Sequence, residues 1–559
     1  MPVSKKSVVL TGLTGLIVIC LSYVAGFYTV QNKLAPYKFY RAATKLATER
    51  HLSGDTVRPT IFINLNISKN KNHSVPTTRS GSGGALASVR DELIVMNHEG
   101  SIFQVLDDSV ARLGIEAADS HFTEYEQAAK SDKYKSMYHR FNYFRYNDIL
   151  AFDSESSGHL VISYTEWMPE EECYGNAIAV LDYPLGTKSI ADVSATADDW
   201  EVVFRSQPCL PLKTASAAIE GHMAGGRMDH LGGSTIVLGS GDYAWDGLYA
   251  PEILAQKIDN DYGKVISIDV ISGEHEMVSY GHRNMQGVVV EKGSKKIWAV
   301  EHGPRGGDEL NLVKQGVNYG WPLETLGTRY NKLPWPDIED YGRHSKFQQP
   351  AYAWVPSVAT SSLTQIDNFH SSWDGDLLVG SFKGGMAYRI RIQNEQVVFS
   401  EPVQLIEGRI RDIHQHTDGR IVVWSDNESI SFVTAGGTLI SDTFVDDYLE
   451  VANYSEEQAV LIKKTVDACL ECHALDPFDH TSAPGLGSMY NANIASTGYA
   501  NYSAALKGKS GKWSDDNLKA YLTDPNAFAK GTIMPNPQIE DPAIIEAIIG
   551  LLKQSNTSY

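Results

Sequence analysis

The sequence predicts a mainly β protein whose central part is a β-propeller, followed by a small all-α domain. Short β-rich runs alternate with turn residues over residues 60–450, for example at 91–106, 263–280 and 375–392. A span of about 390 residues is too long for one β-sandwich, so a propeller of several blades is the better interpretation. From residue 456 onward the apolar residues recur at helical spacing instead, which indicates helices.

An apolar run without charges occupies residues 7–30 and is long enough to span a bilayer. Lys5 and Lys6 precede it, so the short N-terminus is expected in the cytoplasm and the rest of the chain on the other side. A cleaved signal peptide is the rival interpretation, although no A-x-A-like cleavage site follows the run. We therefore expect a retained membrane anchor within residues 1–30 and a juxtamembrane linker at 31–59.

Charge and cysteine usage narrow the class of protein further. A net charge of −20 argues against nucleic-acid partners and against attraction to anionic lipid. Of the five cysteines, Cys20 lies in the apolar run, and Cys469 and Cys472 belong to one motif. Cys173 and Cys209 are the remaining pair. They can form a disulfide if this part of the chain is exported, and two buried thiols are the alternative.

The motif CLECH at residues 469–473 is a c-type haem attachment site. The thiols of Cys469 and Cys472 reach one haem covalently, and His473 ligates the iron. The run GTIMP around Met534 resembles the loop that presents the distal methionine in class I cytochromes c. Because ligation by histidine and methionine leaves no open position, this haem is expected to carry electrons. The cytochrome c domain is expected to cover residues 451–559.

Residues 301–322, EHGPRGGDELNLVKQGVNYGWP, carry more chemistry than a passive loop needs. Glycines and a proline bend the backbone over residues 303–307, so carbonyl oxygens become available beside Glu301, Asp308 and Glu309. A site made of oxygen ligands suits a hard cation such as Ca²⁺. A solvated surface turn is the alternative interpretation.

Together with GHRNMQG at 281–287, this stretch resembles the pyrroloquinoline quinone (PQQ) dependent glucose and aldose sugar dehydrogenases, and the aldose branch most closely. The resemblance covers residues 88–434 and is strongest over 281–322. It implies a propeller of six blades, with PQQ and Ca²⁺ as cofactors beside the haem c. PQQ is a flat quinone with three carboxylates, so its binding requires several cations.

The resemblance also implies which residues form the site. The cofactor-binding residues matched to the family are Arg283, Asn284, Lys383, Arg409 and Arg411. His302, in the calcium loop, is expected to be a second imidazole near the cofactor. The residues matched to the calcium sites are Gly303, Pro304, Asp308, Glu309 and Tyr319. Of these, the carbonyls of Gly303 and Pro304 are implied to hold Ca²⁺ beside PQQ. Glu309 and the Tyr319 carbonyl are matched to a second, structural calcium, and Asp308 to an acid that organises the loop.

His222, in GHMAGGR at residues 221–227, resembles the catalytic base of the family, which removes the hydroxyl proton of the substrate. Two features depart from the family pattern. The arginine that follows His222 comes five residues later rather than four, which a β-bulge can absorb. A family glutamine is missing from FRYNDIL at 144–150, where Arg145 or Asn147 is expected to take its place.

These observations predict a membrane-anchored quinohaemoprotein of the bacterial inner membrane, with both folded domains in the periplasm. An aldose sugar or related alcohol is the expected substrate, and a periplasmic or membrane protein is the expected electron acceptor. One alternative is a propeller that has lost PQQ and acts as a docking platform for the haem domain. Another is a dehydrogenase for a non-sugar alcohol.

Overall fold

The computed structural model describes residues 56–106, 109–134, 141–212, 221–426, 429–438, 443–452, 454–470, 472–475, 483–487, 489–497, 499, 501–539 and 541–557. The expected membrane helix at residues 7–30 and most of the linker at 31–59 lie outside these ranges. Within them, no helix is both long and apolar enough to cross a membrane.

The first half of the β region forms three sheets. Two strands precede them, β1 (Thr56–Pro59) and β2 (Ile63–Ser74). The first sheet contains β3 (Gly84–Val89), β4 (Glu92–Asn97), β5 (Ile102–Val105) and β6 (Val110–Arg112). Helix α1 (Phe122–Lys130) follows. The second sheet contains β7 (Tyr146–Asp153), β8 (Ser157–Met168), β9 (Cys173–Pro184), β10 (Glu201–Arg205) and β11 (Leu210–Pro211). The third sheet contains β12 (Gly225–Gly232), β13 (Thr235–Ser240), β14 (Lys264–Asp269) and β15 (His275–Tyr280).

The second half forms three more sheets and a small pair of strands. The fourth sheet contains β16 (Met285–Val290), β17 (Ile297–Glu301), β18 (Asp308–Val313) and β22 (Tyr352–Trp354). Between β18 and β22 the chain forms three short strands, β19 (Val317–Asn318), β20 (Glu324–Thr325) and β21 (Asp340–Tyr341). The fifth sheet contains β23 (Thr360–Gln365), β24 (Leu377–Ser381), β25 (Met386–Gln393) and β26 (Gln396–Gln404). The sixth contains β27 (Ile410–Gln415), β28 (Ile421–Ser425) and β29 (Ser429–Thr438).

The six sheets are the blades of a closed propeller. Their first strands contact one another in the cyclic order β3, β7, β12, β16, β23, β27 and back to β3. Each adjacent pair of blades shares an apolar core, because alternate residues of every strand face the neighbouring sheet. The expectation of a six-bladed propeller is confirmed.

The last blade is completed by the N-terminal strand β2, which pairs antiparallel with β29, for example Leu65 with Ala435 and Ile67 with Val433. Leu65 and Ile67 are buried between the fifth and sixth blades, and the residue between them, Asn66, is exposed. The two ends of the propeller therefore hold each other by backbone hydrogen bonds and by a shared core, which closes the ring of blades.

A disulfide joins Cys173, the first residue of β9, to Cys209, which directly precedes β11; their Cα atoms are 5.6 Å apart. Strand β11 pairs with the start of β9, so the disulfide and the backbone ladder fix the same segment. Of the two alternatives left open by the sequence, the structure has the disulfide.

A separate helical core follows the propeller. Its helices are α2 (Thr443–Val451), α3 (Glu456–Leu470), α4 (Ala504–Lys507), α5 (Asp515–Thr523), α6 (Pro525–Phe528) and α7 (Pro542–Thr557). Buried side chains of α2, α3, α5 and α7 pack together, and the Tyr448 hydroxyl of α2 donates to the Ala547 carbonyl of α7 at 3.0 Å. The propeller strands thus run from Thr56 to Thr438, a shorter span at the C-terminal side than the expected 60–450, and α2 packs with the helices.

Candidate active site

The first strands of five blades carry a β-bulge at their second residue, at one end of the propeller axis. A bulge turns a side chain out of its regular alternation, and bulges recur beside functional sites. The bulged residues are Asn147, Gly226, Gln286, Ser361 and Arg411. This end of the axis, called the mouth below, is where the predicted site residues gather.

Asp308, at the start of β18, ties the calcium loop to its neighbours. Its carboxylate accepts hydrogen bonds from the Gly303 amide at 3.0 Å, the Ser357 hydroxyl at 2.8 and 2.7 Å, and the amides of Val358 and Ala359. The carboxylate therefore fixes the turn at 303–307 against the segment that leads into β23. The expected role of organising the loop has a physical basis in these contacts.

Beneath the loop lies a cavity of about 10 Å³ whose lining includes Glu301, Glu309, Glu324 and Tyr319. All three glutamates are buried, and Asn311 Nδ2 donates to Glu301 at 2.9 Å and to Glu309 at 3.2 Å. A space of this size holds one water or one ion, and oxygen ligands suit Ca²⁺. The donor set therefore fits the structural calcium implied by the resemblance.

Two histidines accompany these carboxylates in the described part of the chain. His282 Nδ1 lies 3.1 Å from Glu301, and His344 Nε2 lies 3.2 Å from Glu309. Burial raises the pKa of the Glu309 carboxyl. Burial also acts to raise the pKa of Glu301, but the adjacent His282 and the hydrogen bonds from the Arg283 amide and Asn311 together outweigh it, so this pKa is lowered. No group of three or more His, Cys, Asp or Glu side chains surrounds a single point within the described ranges. The calcium implied beside PQQ is matched to the backbone carbonyls of Gly303 and Pro304, which a search for side-chain ligands does not include.

Of the four cations predicted to bind the cofactor, Arg283 contacts the calcium loop. Its Nη1 donates to the carbonyls of His302 at 2.9 Å and Gly303 at 3.0 Å, and its guanidinium lies 5.0 Å from the ring centre of Trp321. Its Nε is buried and has no hydrogen-bond partner among the described residues. An unused donor on a buried cation fits an anionic ligand such as a PQQ carboxylate. The next residue, Asn284, is oriented by the Gly225 amide, which donates to Asn284 Oδ1 at 3.2 Å.

The other three predicted cations come from the fifth and sixth blades. Arg409 and Arg411 share one carboxylate, Asp426, with nitrogen to oxygen distances of 3.1 and 2.9 Å. Their guanidinium groups lie 4.5 and 4.4 Å from the ring centre of Phe382. Lys383, the residue after Phe382, is exposed and donates to the Ser357 carbonyl. The Phe382 ring therefore contacts both arginines of the mouth, although no sequence motif distinguished this phenylalanine.

His302 links the two sides. Its ring lies 5.7 Å from that of Phe382, and its Nε2 is hydrogen-bonded to the Thr360 carbonyl, while its own carbonyl accepts from Arg283. Burial lowers the pKa of the His302 imidazole to about 4, so the ring is neutral at physiological pH. The structure brings Arg283, His302, Arg409 and Arg411 together around one opening.

His222 lies at the same mouth. Its ring is 4.8 Å from the ring of Tyr143, and the sulfur of the next residue, Met223, accepts from Arg283 Nη2 at 3.6 Å. The bulge at Gly226 lies between His222 and Arg227, but four other blades have the same bulge. It is therefore a feature of the propeller rather than a response to the extra residue.

Three buried carboxylates near the mouth were not selected from the sequence. Asp242 accepts from Trp321 Nε1 at 2.7 Å, and burial together with nearby Asp246 raises its pKa to about 7. Asp148 and Asp412 each lie 3.2 Å from Arg227 Nη1 on the propeller axis. Acidic residues are common in glycine-rich and strand segments, so the sequence does not distinguish these carboxylates from others. Only their positions in the folded propeller do.

The haem motif begins at the end of α3. Cys469, His473 and Met534 line one apolar cavity with side chains of α3, α5 and α7. His473 Nδ1 is hydrogen-bonded to the Pro484 carbonyl at 2.7 Å, which leaves Nε2 for a metal. The apolar lining, the thiol of Cys469 and two potential iron ligands fit a covalently bound haem.

Comparison with known proteins agrees with both parts of the chain. Residues 148–434, just over half of the chain, match the model of the Glucose / Sorbosone dehydrogenase family. The chain belongs to this family, and its C-terminal part is homologous to cytochromes c. A cytochrome c homolog of Rickettsia typhi is 35% identical over 92 residues, which are 16% of this chain and 53% of that protein.

Two curated relatives match the propeller. The uncharacterized protein slr1608 of Synechocystis is 29% identical over 257 residues, 41% of this chain and 58% of the relative. The match thus spans little more than half the length of that relative. The aldose sugar dehydrogenase YliI of Escherichia coli is 29% identical over 299 residues, 50% of this chain and 74% of the relative.

Two solved structures share the fold. A glucose dehydrogenase covers 68% of this chain and all of its own, at 23% identity and a TM-score of 0.50. The soluble aldose sugar dehydrogenase of Escherichia coli in its apo-form covers 66% of this chain and 99% of its own, at 22% identity and a TM-score of 0.50.

Proposed function

We propose that this protein is a PQQ-dependent dehydrogenase that oxidises an aldose sugar or related alcohol and passes the electrons through haem c to an acceptor. The supporting observation is the convergence of His222, Arg283, Lys383, Arg409 and Arg411 at one mouth of the propeller. These side chains come from four blades, and only the ring closure places them together. In a protein with a net charge of −20, such a group of cations indicates an anionic ligand.

Each side chain has a distinct part in the proposal. Arg283, Lys383, Arg409 and Arg411 bind the carboxylates of the cofactor and orient its plane across the mouth. The carbonyls of Gly303 and Pro304 hold the calcium ion at the edge of the turn. When bound, PQQ supplies a quinone that accepts hydride from the substrate.

His222 takes the hydroxyl proton of the substrate on an imidazole nitrogen as the C–H bond breaks. Because burial lowers the pKa of His302 to about 4 and its Nε2 is hydrogen-bonded to a backbone carbonyl, His302 is a weak proton acceptor and a better contact for the cofactor. Cys469 and Cys472 would attach the haem, and His473 and Met534 would ligate its iron. Full ligation restricts the iron to electron transfer.

The proposal includes a membrane anchor at residues 7–30 and a bacterial periplasmic location for both domains. Lys5 and Lys6 before the apolar run support this orientation. The disulfide between Cys173 and Cys209 supports an oxidising compartment.

Reconstitution tests the proposal. The purified protein is supplied with Ca²⁺ and PQQ and then with a panel of aldoses, while the α-band of the reduced haem is followed. Reduction of the haem by a sugar only when PQQ is present is the expected result. If PQQ does not bind, the propeller is a docking platform and the enzymatic proposal fails.

A pair of variants isolates the base. His222→Asn is expected to retain PQQ binding and to lower kcat about 10²- to 10⁴-fold, because the proton acceptor is lost. The matched control is His230→Asn, since His230 lies at the other end of β12 and stacks on Phe152. Equal losses in both variants would contradict the assignment of His222.

A further inference from the structure

The mouth holds one more cation than the proposed cofactor requires. The four side chains assigned to the cofactor are Arg283, Lys383, Arg409 and Arg411, and Asp426 neutralises one of their charges. The remaining three positive charges match the three carboxylates of PQQ. Arg145, which directly precedes β7, is a fifth cation that this balance leaves unused.

Arg145 is held rigidly against Arg411. Its Nη1 donates to the Ser82 carbonyl at 2.7 Å, while the Ser82 hydroxyl accepts from Arg411 Nη2 at 3.0 Å. Its Nε donates to Asn147 Oδ1 at 3.2 Å. Gly83 packs on the aliphatic part of the side chain, because an added Cβ there would lie 2.6 Å from Arg145 Cδ. One residue thus brings two guanidinium groups side by side.

The third nitrogen of the Arg145 guanidinium is available for a ligand. Among the described residues, Arg145 Nη2 has no hydrogen-bond partner, and no carboxylate oxygen lies within 4.0 Å of the Arg145 nitrogens. Burial disfavours the charged form of Arg145, and the positive charge of the neighbouring Arg411 acts in the same direction. Together they lower the pKa of Arg145 to about 10. Two neighbouring guanidinium groups, of which only Arg411 is paired with a carboxylate, favour binding of an anion.

Arg145 also lies beside the proposed base. The backbone of Gly221 approaches Tyr143 so closely that an added Cβ would lie 2.5 Å from the Tyr143 carbonyl, and the ring of His222 contacts that of Tyr143. Arg145 is two residues farther along the same segment. One residue, Phe144, thus separates Arg145 from the tyrosine that contacts the ring of His222.

We infer that Arg145 binds the anionic group of a sugar substrate, and that the preferred substrate is a monosaccharide that carries a carboxylate, such as a hexuronate, rather than a neutral aldose. This inference rests on the proposed function and narrows its substrate class. A neutral sugar leaves the charge of Arg145 unpaired, whereas a sugar with one carboxylate can pair with it directly.

Equilibrium binding tests the inference without turnover. Protein carrying Ca²⁺ and PQQ is kept fully reduced and is dialysed against labelled D-glucuronate, D-glucose 6-phosphate or D-glucose. We expect D-glucuronate to bind at least about tenfold more tightly than D-glucose, and only the binding of the charged sugars to weaken between low and high salt. Tighter binding of D-glucose 6-phosphate than of D-glucuronate would support the anionic subsite and identify its ligand as a phosphate.

Variants assign the effect to one side chain. Arg145→Gln should weaken D-glucuronate binding about 10- to 100-fold and leave D-glucose unchanged, because a charge-assisted hydrogen bond is lost. Arg145→Lys should retain part of the affinity. Arg112→Gln removes the same charge from the exposed end of β6 and serves as the control, with unchanged binding expected.

Two results would overturn the inference. The first is equal affinity of the unmodified protein for D-glucuronate and D-glucose. The second is a weaker affinity for PQQ, measured by the quinone absorbance, in Arg145→Gln with no change in sugar preference, which would place Arg145 among the cofactor ligands. If D-glucuronate binds as expected but never reduces the haem, the subsite stands and the proposed dehydrogenase activity fails.

Discussion

Replacement of Arg227 by methionine is expected to destabilise the propeller at its axis. Arg227 Nη1 lies between Asp148 of the second blade and Asp412 of the sixth, and Nη2 donates to the Arg411 carbonyl at 3.3 Å and to the Ser361 carbonyl at 3.4 Å. A single buried side chain of the third blade thus contacts three other blades. Methionine fills a similar volume without the charge.

The expected cost follows from the two carboxylates that are left behind. Removal of one partner from a buried ion pair costs about 3–5 kcal/mol, because the other charge stays buried and unpaired. Burial already raises the pKa of Asp148 to about 7 and raises that of Asp412, although Arg227 opposes both shifts. Without Arg227, both pKa values rise further.

The sign of the pH dependence is therefore fixed. A carboxyl whose pKa is higher in the folded state favours folding at low pH, and this stability is lost as the pH rises from about 4 through its folded pKa. Each additional unit of pKa shift corresponds to about 1.4 kcal/mol. We expect Arg227→Met to lose more stability at pH 8 than at pH 5, by at least that amount.

Urea unfolding followed by tryptophan fluorescence measures the effect in the full chain. Of the 10 tryptophans, Trp513 alone belongs to the helical core, so the signal reports mainly the propeller. Arg227→Lys is the control, because it keeps a cation at the axis. A double variant with Asp148→Asn should recover part of the loss. A cost of Arg227→Met below about 1 kcal/mol, or one that is the same at both pH values, would refute the reasoning.

Three further changes have expected outcomes. Cys209→Ser opens the disulfide with Cys173 across a separation of 36 residues and should lower the free energy of unfolding by about 4 kcal/mol in denaturant titrations. Chemical reduction of the unmodified protein should cost at least as much stability, and a larger loss in the variant than on reduction would contradict this explanation. Met534→Ala should lower the haem reduction potential in a redox titration, and an unchanged potential would assign the sixth ligand elsewhere. Glu309→Gln should weaken calcium binding, measured as the dependence of the melting temperature on free Ca²⁺, whereas the exposed Glu339→Gln should leave it unchanged; equal curves would exclude Glu309 as a ligand.

Much of the fold could be predicted from local patterns. Strand and turn alternation indicates a β-propeller, and helical spacing at Glu456–Leu470 coincides with the observed helix α3. The position of the boundary between the two parts could not be read in this way. Residues 443–451 form an amphipathic helix, and only its packing of Tyr448 against Ala547 shows that it belongs to the helical core.

The same distinction between local patterns and long-range contacts applies to the candidate site. The calcium loop and the haem motif are contiguous in the sequence, so their chemistry is visible in the order of residues. Phe382, between Arg409 and Arg411, was missed because an isolated phenylalanine in a strand-rich segment carries no signal of its own. Asp242 was missed for a similar reason, since its partner Trp321 is 79 residues away.

By itself, the sequence determined which chemical groups are present: a haem attachment motif, a bent loop with carboxylates, and the basic residues of the mouth. Only the tertiary structure decided which charges are paired, because pairing depends on distance in space. Arg411 and Ser82 are 329 positions apart in the chain and 3.0 Å apart in the fold. The closure of the ring brings Arg145 to the same serine, and the extra positive charge of the mouth becomes apparent only there.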